Sequence, residues 1–274
     1  MPAESLGKTV LPKTLPPLDP GPSELSYLTA SLQGVGRRER QEDSYTAVNV
    51  SDRDAIREKG LLLLVADGMG GLEGGKAASE TVIAAMKDAF SRFDAKQDLA
   101  DQLDAAVRAA DSAVYRKLGG KGGSTLVSGL IRGEELFFSS VGDSYIFLLR
   151  DCSLFRLNRS QNVLNRDWLD GIRRGELDPY TARRNPEKDA ITQFLGMDGL
   201  DEIDSLRHPM KLRAGDVLLL CSDGVGGVLS MACLQDCLSH GRPADMAKEL
   251  EREIGKCALK YQDNYTALIV QCRG

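Results

Sequence analysis

Three strand-sized segments in the middle of the chain are too close together in sequence to be connected by helices. They are Leu136–Ser140, Tyr145–Arg150 and Ser153–Leu157. A parallel pair of strands needs a crossover of a dozen or more residues, whereas antiparallel strands need only a short turn. The three segments must therefore pair as antiparallel neighbours. The centre of the chain predicts a meandering antiparallel sheet.

The rest of the apolar pattern adds helices and further strands. Helices are predicted at Lys76–Phe93, Leu99–Leu118, Asn165–Gly175 and Ala244–Cys257. Further strands are predicted at Tyr45–Val50, Leu61–Ala66, Thr125–Ile131, Val217–Ser222 and Thr266–Cys272. Helices that pack on antiparallel sheets define the α+β class, which is the fold class predicted here.

The 274 residues fit one large domain, preceded by a tail. Residues 2–22 contain six of the ten prolines, so residues 1–23 are predicted to form a disordered tail and residues 24–274 the folded domain. The polar stretch at about 160–200 is predicted to be an inserted flap. A net charge of −5 gives no electrostatic footprint for nucleic acid, and no apolar stretch is long enough to span a membrane.

The six cysteines include no Cys-x-x-Cys pair, and Cys152, Cys221 and Cys272 lie in or beside apolar strands. The sequence also begins without a secretory signal. A reduced, cytoplasmic protein with buried thiols is therefore expected. Only two histidines are present, His208 and His240. Any metal chemistry must then use oxygen ligands, which suit Mg²⁺ or Mn²⁺.

Acidic residues occur repeatedly at the ends of predicted strands. Two apolar strands are followed by Asp67-Gly68 and Asp223-Gly224, and further acidic pairs are Glu42-Asp43 and Asp263-Asn264. A carboxylate beside a buried strand is costly unless it is paired or bound to a metal, and glycine lets the backbone turn sharply next to it. Each Asp-Gly pair alone would be interpreted as an ordinary turn. Their repetition favours an all-oxygen cation site.

Six short motifs in a fixed order resemble the metal-dependent protein serine/threonine phosphatases of the PP2C (PPM) family, in their bacterial form. The motifs are Arg38–Asp43, Val65–Gly71, Gly123–Leu126, Val141–Ser144, Ser222–Gly224 and Asp263–Thr266. The resemblance implies a β-sandwich of two antiparallel sheets covered by helix pairs, with the metal ions in a cleft at one end. It also implies that the segment around 160–200, including Ile191–Gly196, is the flap beside that cleft.

The resemblance further implies a role for each matching residue. Asp67 would bridge two central ions (Mn²⁺ or Mg²⁺), and the Gly68 carbonyl would bind one of them. The other carboxylates would complete the site: Asp223 and Asp263 directly, Glu42 and Asp43 directly or through waters, and Asp143 with Asp223 at a third ion. Arg38 would bind the substrate phosphate, a task that suits the planar guanidinium, although alone it could be a solvated charge in a basic run.

The implied reaction is direct attack on phosphorus by a water or hydroxide that bridges two ions, without a phosphoenzyme. The implied partners are proteins phosphorylated on serine or threonine and a cognate serine/threonine kinase, and a monomer is favoured. The sequence departs from common family patterns at Gln41, Met69 and Tyr145. Because many relatives carry a histidine where Met69 stands, the group that protonates the leaving alkoxide is left open.

Two other functions are open to the sequence. Gly70–Ala77 nearly fits a phosphate-binding loop, but Ala77 lacks the hydroxyl that binds Mg²⁺, Glu73 adds negative charge, and the antiparallel core disagrees with such a loop. A PP2C-like sensor or binding module without strong activity is the other alternative. Such a module would be expected to lose Arg38 or the metal carboxylates, all of which are present.

Overall fold

The computed structural model describes residues 25–50, 52–70, 74–176 and 183–274, so the predicted tail at 1–23 lies outside the described residues. The longer strands are β1 (Ser26–Gly34), β2 (Ser44–Val48), β3 (Leu61–Ala66), β6 (Leu126–Arg132), β7 (Glu135–Val141), β8 (Tyr145–Arg150), β9 (Ser153–Arg156), β12 (Val217–Cys221) and β13 (Tyr265–Arg273). The short strands are β4 (Gly68–Met69), β5 (Gly123–Ser124), β10 (Asp204–Ser205) and β11 (Met210–Lys211). The helices are α1 (Arg53–Glu58), α2 (Gly74–Ser91), α3 (Leu99–Leu118), α4 (Val163–Arg174), α5 (Asp223–Gly226), α6 (Met231–Leu238) and α7 (Pro243–Cys257).

The strands form two larger sheets and a small ribbon. The first sheet has the order β1-β13-β12-β8-β9, the second has the order β10-β7-β6-β3-β2 with β11 also on β7, and β4 pairs with β5. Every strand pair of the described chain is antiparallel. The predicted α+β class is confirmed, and the parallel sheet that serves a phosphate-binding loop is not found among the described residues. The predicted three-strand meander is wrong at one of its two steps: β8 pairs with β9 as expected, but β7 pairs with β6 in the other sheet. The short turn between β7 and β8 passes from one sheet to the facing one instead of to a neighbouring strand.

The hydrophobic core has three layers, which explains the long apolar runs of the central strands. Along β3, Leu62 and Leu64 pack under α2 and α3, whereas Leu63 and Val65 point between the sheets. Strand β12 likewise alternates between the inter-sheet layer and a layer under α6 and α7. Both strands are buried on their two faces, so neither shows the polar alternation of a half-exposed strand. The order of layers is therefore helix, sheet, sheet, helix.

The long helices begin and end where local chemistry dictates. The Asp98 side chain accepts a hydrogen bond from the Asp101 amide at 3.0 Å and so caps the start of α3. Gly119 ends the same helix in the left-handed conformation. Helix α4 is bounded in the same way by Asn162 and Gly175. This helix lies inside the predicted flap, of which residues 177–182 are outside the described residues.

One local expectation needs correction. Cys221 and Cys272 are buried as predicted, but Cys152 is exposed, with a φ of 57° in the turn between β8 and β9. A thiol beside an apolar strand need not be buried when it lies in the connecting turn. All six cysteines are free. In the described part of the chain, no helix combines the length and the apolar character that crossing a bilayer requires.

Candidate metal centre

One end of the sandwich contains a cavity of about 490 Å³ whose lining comes from many separate segments. Asp67 follows β3 and Asp223 follows β12, so an inner strand of each sheet delivers one carboxylate to the same place. The predicted site residues that line the cavity are Arg38, Glu42, Asp67, Gly68, Asp143, Asp223 and Asp263. Residues far apart in sequence therefore meet at one cleft.

Asp43 is the predicted ligand that is not among the residues lining this cavity. Its side chain is fully buried beneath it, where Ser222 donates a hydrogen bond to Oδ2 at 2.9 Å. The Asp43 carboxylate nevertheless interacts with the carboxylates of Asp67 and Asp223. Asp43 thus belongs to the same acidic cluster, but at its base.

The Gly-Ser-Thr motif holds Asp67 in position. The Asp67 amide donates to the Thr125 hydroxyl at 3.1 Å, and the Thr125 amide donates back to the Asp67 carbonyl at 2.8 Å. The Ser124 hydroxyl donates to the same carbonyl at 3.0 Å. Thr125 in turn shares a hydrogen bond of 2.8 Å with Ser144, next to Asp143. This network fixes the backbone on both sides of the cavity floor.

The carboxylates strongly disfavour one another's charge. Burial is the largest effect, and it raises the pKa of Asp43 and of Asp143 to about 6. The pKa of Asp67 is raised well above its usual range by burial and then by the charges of Asp43 and Asp223. Burial and the neighbouring charge of Asp263 also raise the pKa of Asp223. The positive charges nearby, Arg38 and Arg156, therefore do not balance the negative charge of the cluster.

Two buried oxygens of the cluster also lack hydrogen-bond donors. They are Oδ1 of Asp43 and Oδ1 of Asp223, neither of which has a partner among the described residues. A buried carboxylate oxygen without a donor or a cation is costly. Hard divalent cations prefer such oxygens. The residues present therefore fit Mg²⁺ or Mn²⁺.

The carboxylates are not already placed as a closed shell. Among the described residues, no three acidic, histidine or cysteine side chains surround one point closely enough to hold an ion. Part of the reason is that some oxygens have other partners, since Ser222 holds Asp43 and Arg38 holds Asp263. The backbones nevertheless bring these carboxylates to one cavity, and rotation of the side chains can turn the unpartnered oxygens towards an ion.

Arg38 lies at the mouth of the cavity and pairs with a predicted metal ligand. Its guanidinium contacts the Asp263 carboxylate at 2.6 Å, and the two side chains are 60% and 40% exposed. The pair raises the pKa of Arg38 chiefly through this hydrogen bond. The sequence did not predict the contact. It shows that the Arg38 side chain reaches the cluster that it was predicted to serve.

Asn264 is a structural residue of the site to which the sequence analysis assigned no role. Its Oδ1 accepts from the Glu42 amide at 2.7 Å, and its Nδ2 donates to the carbonyls of Val35 and Arg40, both at 2.9 Å. Asn264 is buried. It therefore ties the loop that carries Arg38 to the start of β13. The motif Asp263-Asn264 was visible, but the distant backbone partners were not.

We expect Asn264→Ala to impair the site and the fold together. The change would leave one amide and two carbonyls without their partner, at a cost of about 1–3 kcal/mol per buried group. Urea unfolding should show lower stability, and phosphatase assays should show a raised KM because the Arg38 loop is no longer anchored. Asn185→Ala, which alters a flap amide bonded to Asp167, serves as the control. A wild-type KM in Asn264→Ala would contradict the anchoring role.

The flap is attached directly beside Asp67. Leu195 exchanges two backbone hydrogen bonds with Ser124, at 2.8 and 3.0 Å. The Gly196 amide donates to the Asp111 side chain at 2.8 Å, and Ile191 lines the cavity. The predicted flap segment is therefore joined to the cavity wall. Met69 also lines the cavity, but its thioether carries no proton to donate.

Comparison with known proteins agrees with this architecture. The family model described as protein phosphatase 2C matches residues 41–260. The chain belongs to the protein phosphatase 2C family. The PP2C family assignment that the motifs suggested is thereby confirmed, and the matched range extends from Gln41 to beyond α7.

Individual PP2C relatives support the assignment. The chain is 32% identical over 209 residues to the serine/threonine protein phosphatase PstP of Mycobacterium tuberculosis, covering 74% of this chain and 39% of that protein. It spans about two fifths of that relative's length. It is 28% identical over 222 residues to the serine/threonine phosphatase stp of Listeria welshimeri, covering 77% of this chain and 84% of that protein.

A solved PP2C structure is similar across the fold. The catalytic domain of PstP, crystallised in complex with two manganese ions, has 28% sequence identity and a TM-score of 0.71, and the similarity covers 91% of this chain and 100% of that chain. The predicted sandwich of the PP2C family is therefore confirmed for this chain.

Proposed function

We propose that this protein is a metal-dependent phosphatase that removes phosphate from phosphoserine and phosphothreonine residues of other proteins. The observation that carries the proposal is the convergence of Arg38 and the acidic cluster on one cavity, with two buried carboxylate oxygens that need a cation. Membership of the PP2C family supports it. The relatives named as serine/threonine phosphatases support it further.

The acidic residues of the chain would hold the metal ions. Asp67, with the Gly68 carbonyl, would hold the two central ions together with Asp223 and Asp263, while Glu42 and Asp43 would support them. Bound Mn²⁺ or Mg²⁺ would supply a nucleophilic hydroxide and countercharge for the phosphate. A third ion would take Asp143 and Asp223. The two manganese ions crystallised with PstP favour Mn²⁺.

Arg38 would position the phosphate. A phosphate dianion can draw the guanidinium from Asp263, because a planar fork of N–H donors matches two phosphate oxygens at once. The exposed position of Arg38 leaves it free to make this change. Stabilising the equatorial oxygens as charge redistributes would be its contribution to the transition state.

In the cell, the expected partners are phosphorylated proteins and the serine/threonine kinase that modifies them. We propose that the enzyme acts as a monomer in the cytoplasm, with the flap and the proline-rich tail available for substrate selection. The degenerate binding module is the alternative. The presence of Arg38 together with Asp67, Asp223 and Asp263 in one cavity speaks against it.

The proposal predicts strict dependence on divalent cations. The purified protein should hydrolyse p-nitrophenyl phosphate and a phosphothreonine peptide with Mn²⁺, lose this activity in EDTA, and regain it when excess Mn²⁺ is added back. Full activity in chelator would contradict the mechanism. Tight binding of phosphopeptide without turnover at any Mn²⁺ concentration would instead favour the binding module.

A further inference from the structure

The cleft extends outward into a second lobe of about 440 Å³, which the reaction as described does not use. We define this outer lobe by Tyr145, Asp189, Val228, Leu259 and Tyr261, and it shares Asp143, Asp223 and Asp263 with the cavity above. Arg38 and Arg40 line the first cavity, whereas no arginine or lysine of the described chain lines the outer lobe. The two parts of the cleft thus differ in charge.

Asp189 gives the outer lobe a charge that the proposed central ions do not use. It lies on the flap, is exposed, and makes no ion pair with a described residue. Asp189 and Asp143 line the same lobe. Asp223 and Asp263 would be neutralised by ions, but Asp189 would keep its charge. It is therefore available to a cationic group of the substrate.

The opposite wall is apolar and projects into solvent. Leu259 is 41% exposed and Tyr261 is 80% exposed. Both lie on a short loop that is held at its end, because the buried Gln262 side chain donates to the carbonyls of Gly224 and Asp263 at 3.1 and 3.2 Å. Two large side chains with exposed apolar surface are therefore presented on a fixed backbone, in the same lobe as the Asp189 carboxylate.

Two cations adjoin the lobe without lining it, and each contacts one of its aromatic rings. Arg156 lies 4.1 Å from the Tyr145 ring centroid and donates to Ser160 at 2.8 Å. Lys260 lies 4.9 Å from the Tyr261 ring centroid. Each occupies one ring face, while most of the Tyr261 side chain stays exposed. The lobe is thus open to an aromatic contact on one side and an acidic contact on the other.

We propose that the outer lobe binds an arginine side chain located within two residues of the phosphoserine or phosphothreonine of the substrate. The aliphatic stem would pack on Leu259 and Tyr261, and the guanidinium would pair with Asp189. Arginine fits better than lysine, because its planar head can both stack on an aromatic ring and form two bonds to a carboxylate. This inference rests on the proposed function, and it names the substrate class of the same site.

The test uses phosphothreonine peptides that differ in one position only. At each of the two positions before and after the phosphothreonine, arginine is compared with citrulline, which has the same shape without the charge. At one position, the wild-type kcat/KM should be about fivefold higher for arginine, as expected for a partly exposed charge pair with a cation–π contact. Raising the ionic strength from about 0.05 M to about 0.5 M should reduce this ratio.

Matched variants test whether the preference for arginine over citrulline arises in the outer lobe. Asp189→Asn should bring the arginine-to-citrulline ratio close to one, and Tyr261→Leu should lower it about twofold. Asp198→Asn removes an equal charge from the same flap but does not line the lobe, and it should keep the wild-type ratio. Asp198→Asn should hydrolyse p-nitrophenyl phosphate normally. For Asp189→Asn and Tyr261→Leu, the ratio between the two peptides is compared within each variant, so a change in basal rate cancels.

Two readouts separate this inference from the proposed function. Wild-type hydrolysis of all peptides with a ratio of one at every position would overturn the inference and leave the phosphatase proposal standing. If no peptide is hydrolysed, the inference is tested by measuring the binding of non-hydrolysable phosphonate versions of the same peptides. A preference for arginine that Asp189→Asn removes would then support the lobe while the phosphatase proposal fails, and equal binding of the two peptides would overturn it.

Discussion

Asp67→Asn should abolish metal-dependent activity while making the metal-free protein more stable. Activity should fall by about 1,000-fold or more, since losing the cation site removes about 4 kcal/mol of transition-state stabilisation. The raised pKa of Asp67 means that its ionised form is disfavoured in the fold, by burial and by Asp43 and Asp223. Asparagine removes that charge. In EDTA the melting temperature should rise by about 2–4 °C, equivalent to about 1 kcal/mol.

Thermal unfolding with and without Mn²⁺ measures both parts of this prediction. Wild-type protein should be stabilised by Mn²⁺, by about 2.7 kcal/mol at a concentration 100 times the dissociation constant, whereas Asp67→Asn should respond weakly. Asp98→Asn is the matched control, because asparagine also caps the start of α3. Equal Mn²⁺ stabilisation of Asp67→Asn and wild type would remove Asp67 from the metal site.

Gly224→Ala should separate the two carboxylates that the first sheet contributes. A methyl group at Gly224 would overlap the backbone carbonyl oxygen of Asn264 and would crowd Tyr265. The segments that carry Asp223 and Asp263 must then move apart. We expect a loss of stability of about 1–3 kcal/mol from overpacking. We also expect a loss of kcat/KM of about 100-fold, since misplacement by about 1 Å can have that effect.

Gly255→Ala is the control for Gly224→Ala. It makes the same chemical change at a position where we expect no harm to the protein. Gly255 lies in α7, and an added methyl group would meet nothing within 4 Å. Alanine should stabilise this helix by about 0.5–1 kcal/mol and leave turnover unchanged. Urea unfolding and initial rates for the two variants, measured side by side, test whether space at Gly224 matters. Normal turnover by Gly224→Ala would show that the contact is not needed.

The sequence was most informative where side-chain pattern and burial coincide. Leu61–Ala66 was predicted with the bounds that the structure has, because an uninterrupted apolar run of six is long enough only for a strand buried on both faces. The edge strand β1 was missed. Only Tyr27 and Leu32 are buried along it, so its sequence lacks a clear period. Helix α1 was also missed, because charged residues obscure its single buried contact, Ile56.

The acidic residues of the site were predictable because they stand in short motifs, but their connections were not. Thr125 and Asn264 hold the cluster through backbone groups that are distant in sequence. The pairing of Arg38 with Asp263 depends on the approach of residues 225 positions apart. A single sequence carries no signal for such contacts. The chemistry of the cluster could be predicted, whereas its supporting hydrogen bonds required the fold.

The division of the acidic cluster between the two sheets has a mechanical consequence. Asp67 extends from the sheet that contains β3, whereas Asp223 and Asp263 belong to the one that contains β12 and β13, and Asp143 lies in the turn between β7 and β8 that joins the two sheets. Ions held by both groups would act as a clasp across the sandwich. The two sheets could then separate only if the cations were released at the same time. The protein with bound ions should therefore unfold as a single cooperative unit.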